Sequence, residues 1–167
     1  FLFIATIASS QCVTTVDFNT WNRAGQPANG NWVVQNGGTQ VHQTVNGDPT
    51  FFISPFNLMN VHISGNFKST DSDNDWMGFV FSFLNPIGAT DSFDCYLYDW
   101  KQEQQNGASS GKSLDRVFGV IPPANYTTDF WNHTNTPECT VLQNTVGGAR
   151  WIRNFNHSFD LYLTYTE

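Results

Sequence analysis

The chain has 167 residues, 13% of them charged and 16% aromatic, and a net charge of −7. That length suits one domain with a sizeable core, and seven basic residues against fourteen acidic ones exclude a phosphate-binding face, since nucleic-acid binding rests on clustered Lys and Arg. The polar content is mostly Asn, Gln, Thr, Ser and Gly rather than good helix formers, which favours pleated strands.

In chain order, residues 1–16 come first as an apolar segment. The run FLFIATIASS reads either as the apolar core and small-residue cleavage zone of a secretory signal, or as an extended strand offering Phe1, Phe3, Ile4 and Ile7 to another subunit. Its ten residues fall short of the roughly twenty that a membrane-spanning helix requires. Period-two segments then predict strands at 33–34, 41–45, 51–53, 61–67, 76–83, 95–100, 141–142 and 160–166. Over 61–67, Val61, Ile63 and Phe67 share one parity and His62, Ser64 and Asn66 the other, as in a sheet with one wet face. Over 76–83 both parities are mostly apolar, which predicts a central strand covered on both sides. Turn residues such as Asn36-Gly37-Gly38, Asn46-Gly47-Asp48-Pro49 and Gly147-Gly148 separate these segments. No segment has a convincing 3.6-residue period. The pattern predicts an all-β fold over 17–167, a two-layer antiparallel sandwich of the jelly-roll kind.

Four motifs carry a resemblance to a known family. Asn31-Trp32-Val33-Val34 with Gln43-Thr44-Val45-Asn46-Gly47-Asp48-Pro49 opens it, and Asp71-Ser72-Asp73-Asn74-Asp75 runs into Trp76-Met77-Gly78-Phe79-Val80-Phe81. Tyr96-Leu97-Tyr98-Asp99-Trp100-Lys101-Gln102 and Phe130-Trp131-Asn132-His133-Thr134 follow in the same order. Together they resemble the lectin-like C-terminal domain of thrombospondins and its bacterial surface-protein relatives, over roughly residues 17–166. The resemblance implies a concanavalin-like β-sandwich that is extracellular, calcium-associated and non-enzymatic. It also implies closing strands in a further stretch of about forty residues after the 160–166 strand, whereas the sequence stops at Glu167, so the sandwich is expected to lack its last strands.

Asp71, Asp73, Asn74 and Asp75 present oxygen ligands at the alternating spacing with which one loop wraps a hard cation. The Gly and distal Glu of an EF-hand are missing, so a solvated acidic turn is the competing reading. The resemblance favours calcium, with Asp48, Asp94 and Asp99 as further ligands. His42, His62, His133 and His157 are scattered, none near another His or Cys, and are expected at the surface or in turns rather than on zinc or copper. No nucleophile elbow, Cys-His context or phosphate loop gives catalysis a seat. Asp99 and Glu103 form an acidic pair of the kind a glycosidase uses, but strand and loop positions make solvation or cation binding the commoner role.

Among the tryptophans, Trp76 and Trp100 are expected to be packed, and Trp131 and Trp151, beside polar loops, are the candidates for sugar stacking. Sequons stand at Asn125, Asn132 and Asn156. Cys12, Cys95 and Cys139 allow three single-bridge pairings, with one thiol always left over. The leading expectation is a secreted, extracellular structural or adhesive module, not an enzyme. It polymerises with itself by N-terminal strand donation and contacts glycans or extracellular matrix. The alternative is a monomeric calcium-dependent carbohydrate-binding domain.

Overall fold

The computed structural model describes residues 13–84, 92–105, 107–146 and 150–164. Phe1, Phe3, Ile4, Ile7 and Cys12 lie outside the described residues. Ten strands run in chain order among the described residues: β1 Asn22–Ala24, β2 Trp32–Gln35, β3 Gln40–Gln43, β4 Phe51–Ile53, β5 Val61–Phe67, β6 Trp76–Phe81, β7 Ser92–Lys101, β8 Gly111–Val120, β9 Cys139–Val146 and β10 His157–Leu163. Every pairing between them is antiparallel. The fold is an all-β sandwich around a four-stranded sheet in the order β6-β7-β8-β9, with β5 paired to β10, β1 to β4 and β2 to β3.

Strand parity divides the central sheet into two unlike faces. On β7 the odd residues Phe93, Cys95, Leu97, Asp99 and Lys101 are all buried. The register sets Cys95 across from Val117, Leu97 from Asp115, Asp99 from Ser113, and Val117 from Cys139. One end of this inner face is the apolar core, where Phe93, Cys95, Leu97, Val117 and Cys139 pack with Phe51 of β4, Ile121, Tyr126 and Phe130. Phe93 and Phe130 meet edge-on with ring centroids 5.1 Å apart, a favoured aromatic geometry. A single π-helical turn, Thr127–Trp131, supplies Phe130 and covers the sheet here.

The even residues point the other way. Phe79 lies 4.9 Å from Phe159, and Trp100 lies 4.8 Å from His157, so the β5-β10 pair covers one end of this outer face. At the opposite end Tyr96, Phe118 and Val120 are 41, 62 and 64% exposed.

Periodicity located most strands but missed β8, β1 and the helical turn. Ten-residue β8 has four buried alternate residues, Gly111, Ser113, Asp115 and Val117, and three of them are small or polar. The 76–83 segment, expected to be central, instead supplies β6 at an edge of the sheet among the described residues, and β7 and β8 are the central strands.

Candidate functional site

The other end of the inner face is polar and equally buried. Asp99 and Lys101 are 0% exposed, Ser113 1% and Asp115 2%. They face inward because they occupy the same parity as Leu97 and Val117, in the part of the sheet lying under residues 131–133. His133 completes the group from the segment after the helical turn, with a positive φ of 51° and a side chain only 5% exposed. Its Nε2 lies 2.5 Å from Asp99 Oδ1. Ser113 Oγ donates to Asp115 Oδ1 at 2.7 Å, and Lys101 Nζ donates to the Trp131 carbonyl, 3.6 Å from the centroid of the same indole.

Charges pressed together out of water have shifted affinities for protons. Burial pushes the Asp115 carboxyl up to about 6, with Asp99 adding to the rise and the Ser113 hydrogen bond opposing it. Burial likewise brings the Lys101 ammonium down to about 8, against the pull of Asp99, Asp115 and Asp75. Three acceptors in the same region are buried and unpartnered: Asp99 Oδ2, Asp129 Oδ2 and Asn132 Oδ1. One ligand atom each from Asp99, Asp115 and His133 lies within 4.8 Å of the others, the only such His, Cys, Asp or Glu group among the described residues.

The sequence-selected acidic residues fall in separate places. In the 71–75 loop, Asp71 Oδ1 accepts from the Asp73 amide at 2.7 Å. Asp73 Oδ1 accepts from the Asn74 amide at 2.8 Å and Gln105 Nε2 at 3.1 Å, and these bonds, with that from Asn46, hold the Asp73 carboxyl below its usual range. Arg153 Nη2 donates to the carbonyls of Ser72 and Asp73 at 2.6 and 3.2 Å. Asp75 is pushed up to about 6 by burial, then by Asp73 and Asp71. Asp48 accepts from Asn29, Asp94 pairs with Arg116, and Asp99 belongs to the interior group. The seven residues proposed for calcium therefore do not meet at one point.

Other expectations need correction. Trp151 is 1% exposed, with Nε1 donating to the Asp75 carbonyl at 3.0 Å, so it anchors the acidic loop and offers no sugar platform. Trp131 is half-buried over Lys101, its Nε1 bound to the Gln105 carbonyl. Cys95 and Cys139 are buried free thiols on strands separated by β8, so they do not form a bridge. Asn125 and Asn156 are exposed, but Asn132 is half-buried with its amide oxygen sealed. His133 is an interior residue. Its spacing from other His and Cys gives no sign of this, because its neighbours are the carboxylates of Asp99 and Asp115. Glu103 pairs with Arg150 at the surface while Asp99 lies inside the sheet.

Comparison with known proteins places these features in context. The family described as the thrombospondin C-terminal region matches residues 27–118, a span that takes in the first three motifs and leaves out Phe130 to Thr134. Human thrombospondin-3 is 29% identical over 143 residues, covering 75% of this chain and 14% of that protein. Thrombospondin-3b of Danio rerio is 30% identical over 133 residues, 72% of this chain and 14% of its own length. Thrombospondin-4 of Bos taurus is 33% identical over 100 residues, 56% of this chain and 10% of its own. The chain thus spans about one seventh of the first of these relatives. No solved structure matches it.

Proposed function

The chain belongs to the thrombospondin C-terminal family, and from that premise we propose that it is an extracellular, non-catalytic structural or adhesive module that assembles with copies of itself. The observation carrying this reading is the half-covered outer face of the central sheet. The β5-β10 pair packs on one end, and the other leaves Tyr96, Phe118 and Val120 in water among the described residues. Exposed apolar side chains gathered on one face mark a contact surface.

The edge strand β9 adds a place for another strand. Its first residues are sealed by their own leading loop, through Thr136 N to Cys139 O and Val141 N to Asn135 Oδ1. Beyond them no strand pairs with its outer side among the described residues. An edge of this kind accepts an extended segment from another molecule, and residues 1–16, carrying Phe1, Phe3, Ile4 and Ile7, are the segment we assign to it. Head-to-tail donation gives a heterologous contact that need not close, hence a filament. Light scattering and electron microscopy on the full chain test this. Filaments that vanish when residues 1–14 are deleted support donation, and a full chain that stays monomeric at micromolar concentration refutes self-assembly.

A second reading, a calcium-dependent carbohydrate-binding domain, is favoured by the 71–75 loop, which holds three carboxylates and where burial, then Asp73 and Asp71, push Asp75 up to about 6. Glycan binding that appears with calcium and disappears with chelator would single it out. Glycans or matrix are the partners in either case. No helix among the described residues is long and apolar enough to cross a membrane.

A further inference from the structure

We propose that Asp99, Asp115 and His133 bind one divalent transition-metal cation, with zinc as the reference ion, inside the sandwich and apart from any calcium bound at the surface loop. The three donors come from three segments brought together only by folding: β7, β8 and the loop after the helical turn. One ligand atom from each already lies within 4.8 Å of the others. Bonds of about 2.0–2.2 Å to one ion set neighbouring ligand atoms ~3–3.5 Å apart, so the group needs side-chain shifts on the order of 1 Å, not a new backbone.

An independent observation points to an occupant. The second oxygen of Asp99 is buried and has no hydrogen-bond partner, although Asp99 is 0% exposed. Asp129 Oδ2 and Asn132 Oδ1, on the covering segment, are orphaned in the same way. Buried polar atoms in native proteins are nearly always partnered, and every orphan here is an acceptor, so the missing partner is a donor or a cation. Charge runs the same way: Asp99, Asp115 and Asp129 act together on Cys139, with the Lys101 ammonium as the cationic side chain beside them. Lys101 is committed to the Trp131 carbonyl and ring.

The donor set selects the metal. Calcium and magnesium take oxygen alone, whereas an imidazole beside two carboxylates suits zinc and its first-row neighbours. On binding, the His133 Nε2 to Asp99 Oδ1 contact opens and both atoms turn to the ion. His133 then acts as the neutral base, and any proton on it is released to solvent.

The test refolds the full chain from denaturant with zinc or with cobalt, whose visible absorption reports an imidazole-bound, low-coordinate site. The expected result is one equivalent retained after desalting, an absorption band saturating at one cobalt per chain, and a melting temperature several degrees above that of the chelated protein. D115N keeps the shape of the side chain and its acceptor for Ser113, so it should fold while losing at least tenfold in cobalt affinity. H133Q should lose the band. Two results would overturn the proposal: a wild-type chain that refolds cooperatively and retains no metal, or a cobalt band unchanged in both variants.

Discussion

Gly78 is the most exacting position in the central sheet, and Gly78→Ala is the sharpest test of the packing described above. A Cβ built there lies 1.8 Å from the Tyr98 carbonyl oxygen, on the strand beside it. Contacts under 3.0 Å are essentially never seen, so β6 and β7 have to part locally by about 1.2 Å. The obstacle is backbone and cannot rotate away. A ladder bond stretched by that amount leaves the 2.7–3.2 Å range in which it is effective, and each such loss is worth about 1 kcal/mol. Two broken bonds together with strain at the lower end of overpacking costs come to about 3 kcal/mol. For a chain of this size the melting temperature should fall by about 6–12 °C. Gly65→Ala is the internal control. Its Cβ meets only the Phe159 ring, at 3.0 Å, and a side chain can yield, so a loss of about 1 kcal/mol or less is expected. Thermal melts by circular dichroism of both variants decide the matter. A Gly78→Ala protein melting within 1–2 °C of wild type, or no lower than Gly65→Ala, would refute the β6-β7 register.

Calcium at a hundredfold excess over its dissociation constant should stabilise the chain by about 2.7 kcal/mol if the 71–75 loop binds it. Melts with calcium and with chelator, repeated on Asp71→Asn, would show this, and a chelator-insensitive melting temperature leaves the loop as a solvated turn. Trp151→Phe removes the donor to the Asp75 carbonyl and some buried ring surface, so a loss of about 2 kcal/mol is expected in urea titration. Cys95 and Cys139, both buried and both pushed up to about 12 from 9.0 by that burial, should resist alkylation in native protein and react fully in denaturant. Between about pH 9 and 12 the unfolded chain releases protons that these thiols keep when folded, so stability should fall by about 1.4 kcal/mol per pH unit per thiol. The depressed Lys101 offsets part of this until pH 10.5, its ordinary value, and urea midpoints that fail to fall between about pH 9 and 12 would show the thiols to be accessible.

Composition and period-two alternation carried the all-β class and eight of the strands, because a half-buried strand writes its environment into every second residue. The 61–67 segment shows this cleanly: Val61, Ile63 and Phe67 lie on the partly buried side of β5 while His62, Ser64 and Asn66 face water. The motif from Asp71 to Phe81 and the Trp-Lys-Gln strand also announced the family from sequence alone. Alternation failed at β8, where the inward residues include Ser113 and Asp115 and the outward ones include Leu114 and Phe118, so the hydrophobic signal is scrambled just where the strand lines the polar interior. Trp151 was misjudged for a related reason: polar neighbours in sequence say nothing about the Asp75 carbonyl that binds it from 76 residues away. The interior site was the least legible feature. Asp99, Asp115 and His133 are separated by 16 and 18 residues in the chain, and no local spacing links them. Strand parity and the β7-β8 register put the two carboxylates on one face, and the left-handed backbone at His133 carries the imidazole over them. Those are tertiary facts, because which charges meet inside a sandwich is set by pairing between distant strands and not by order along one.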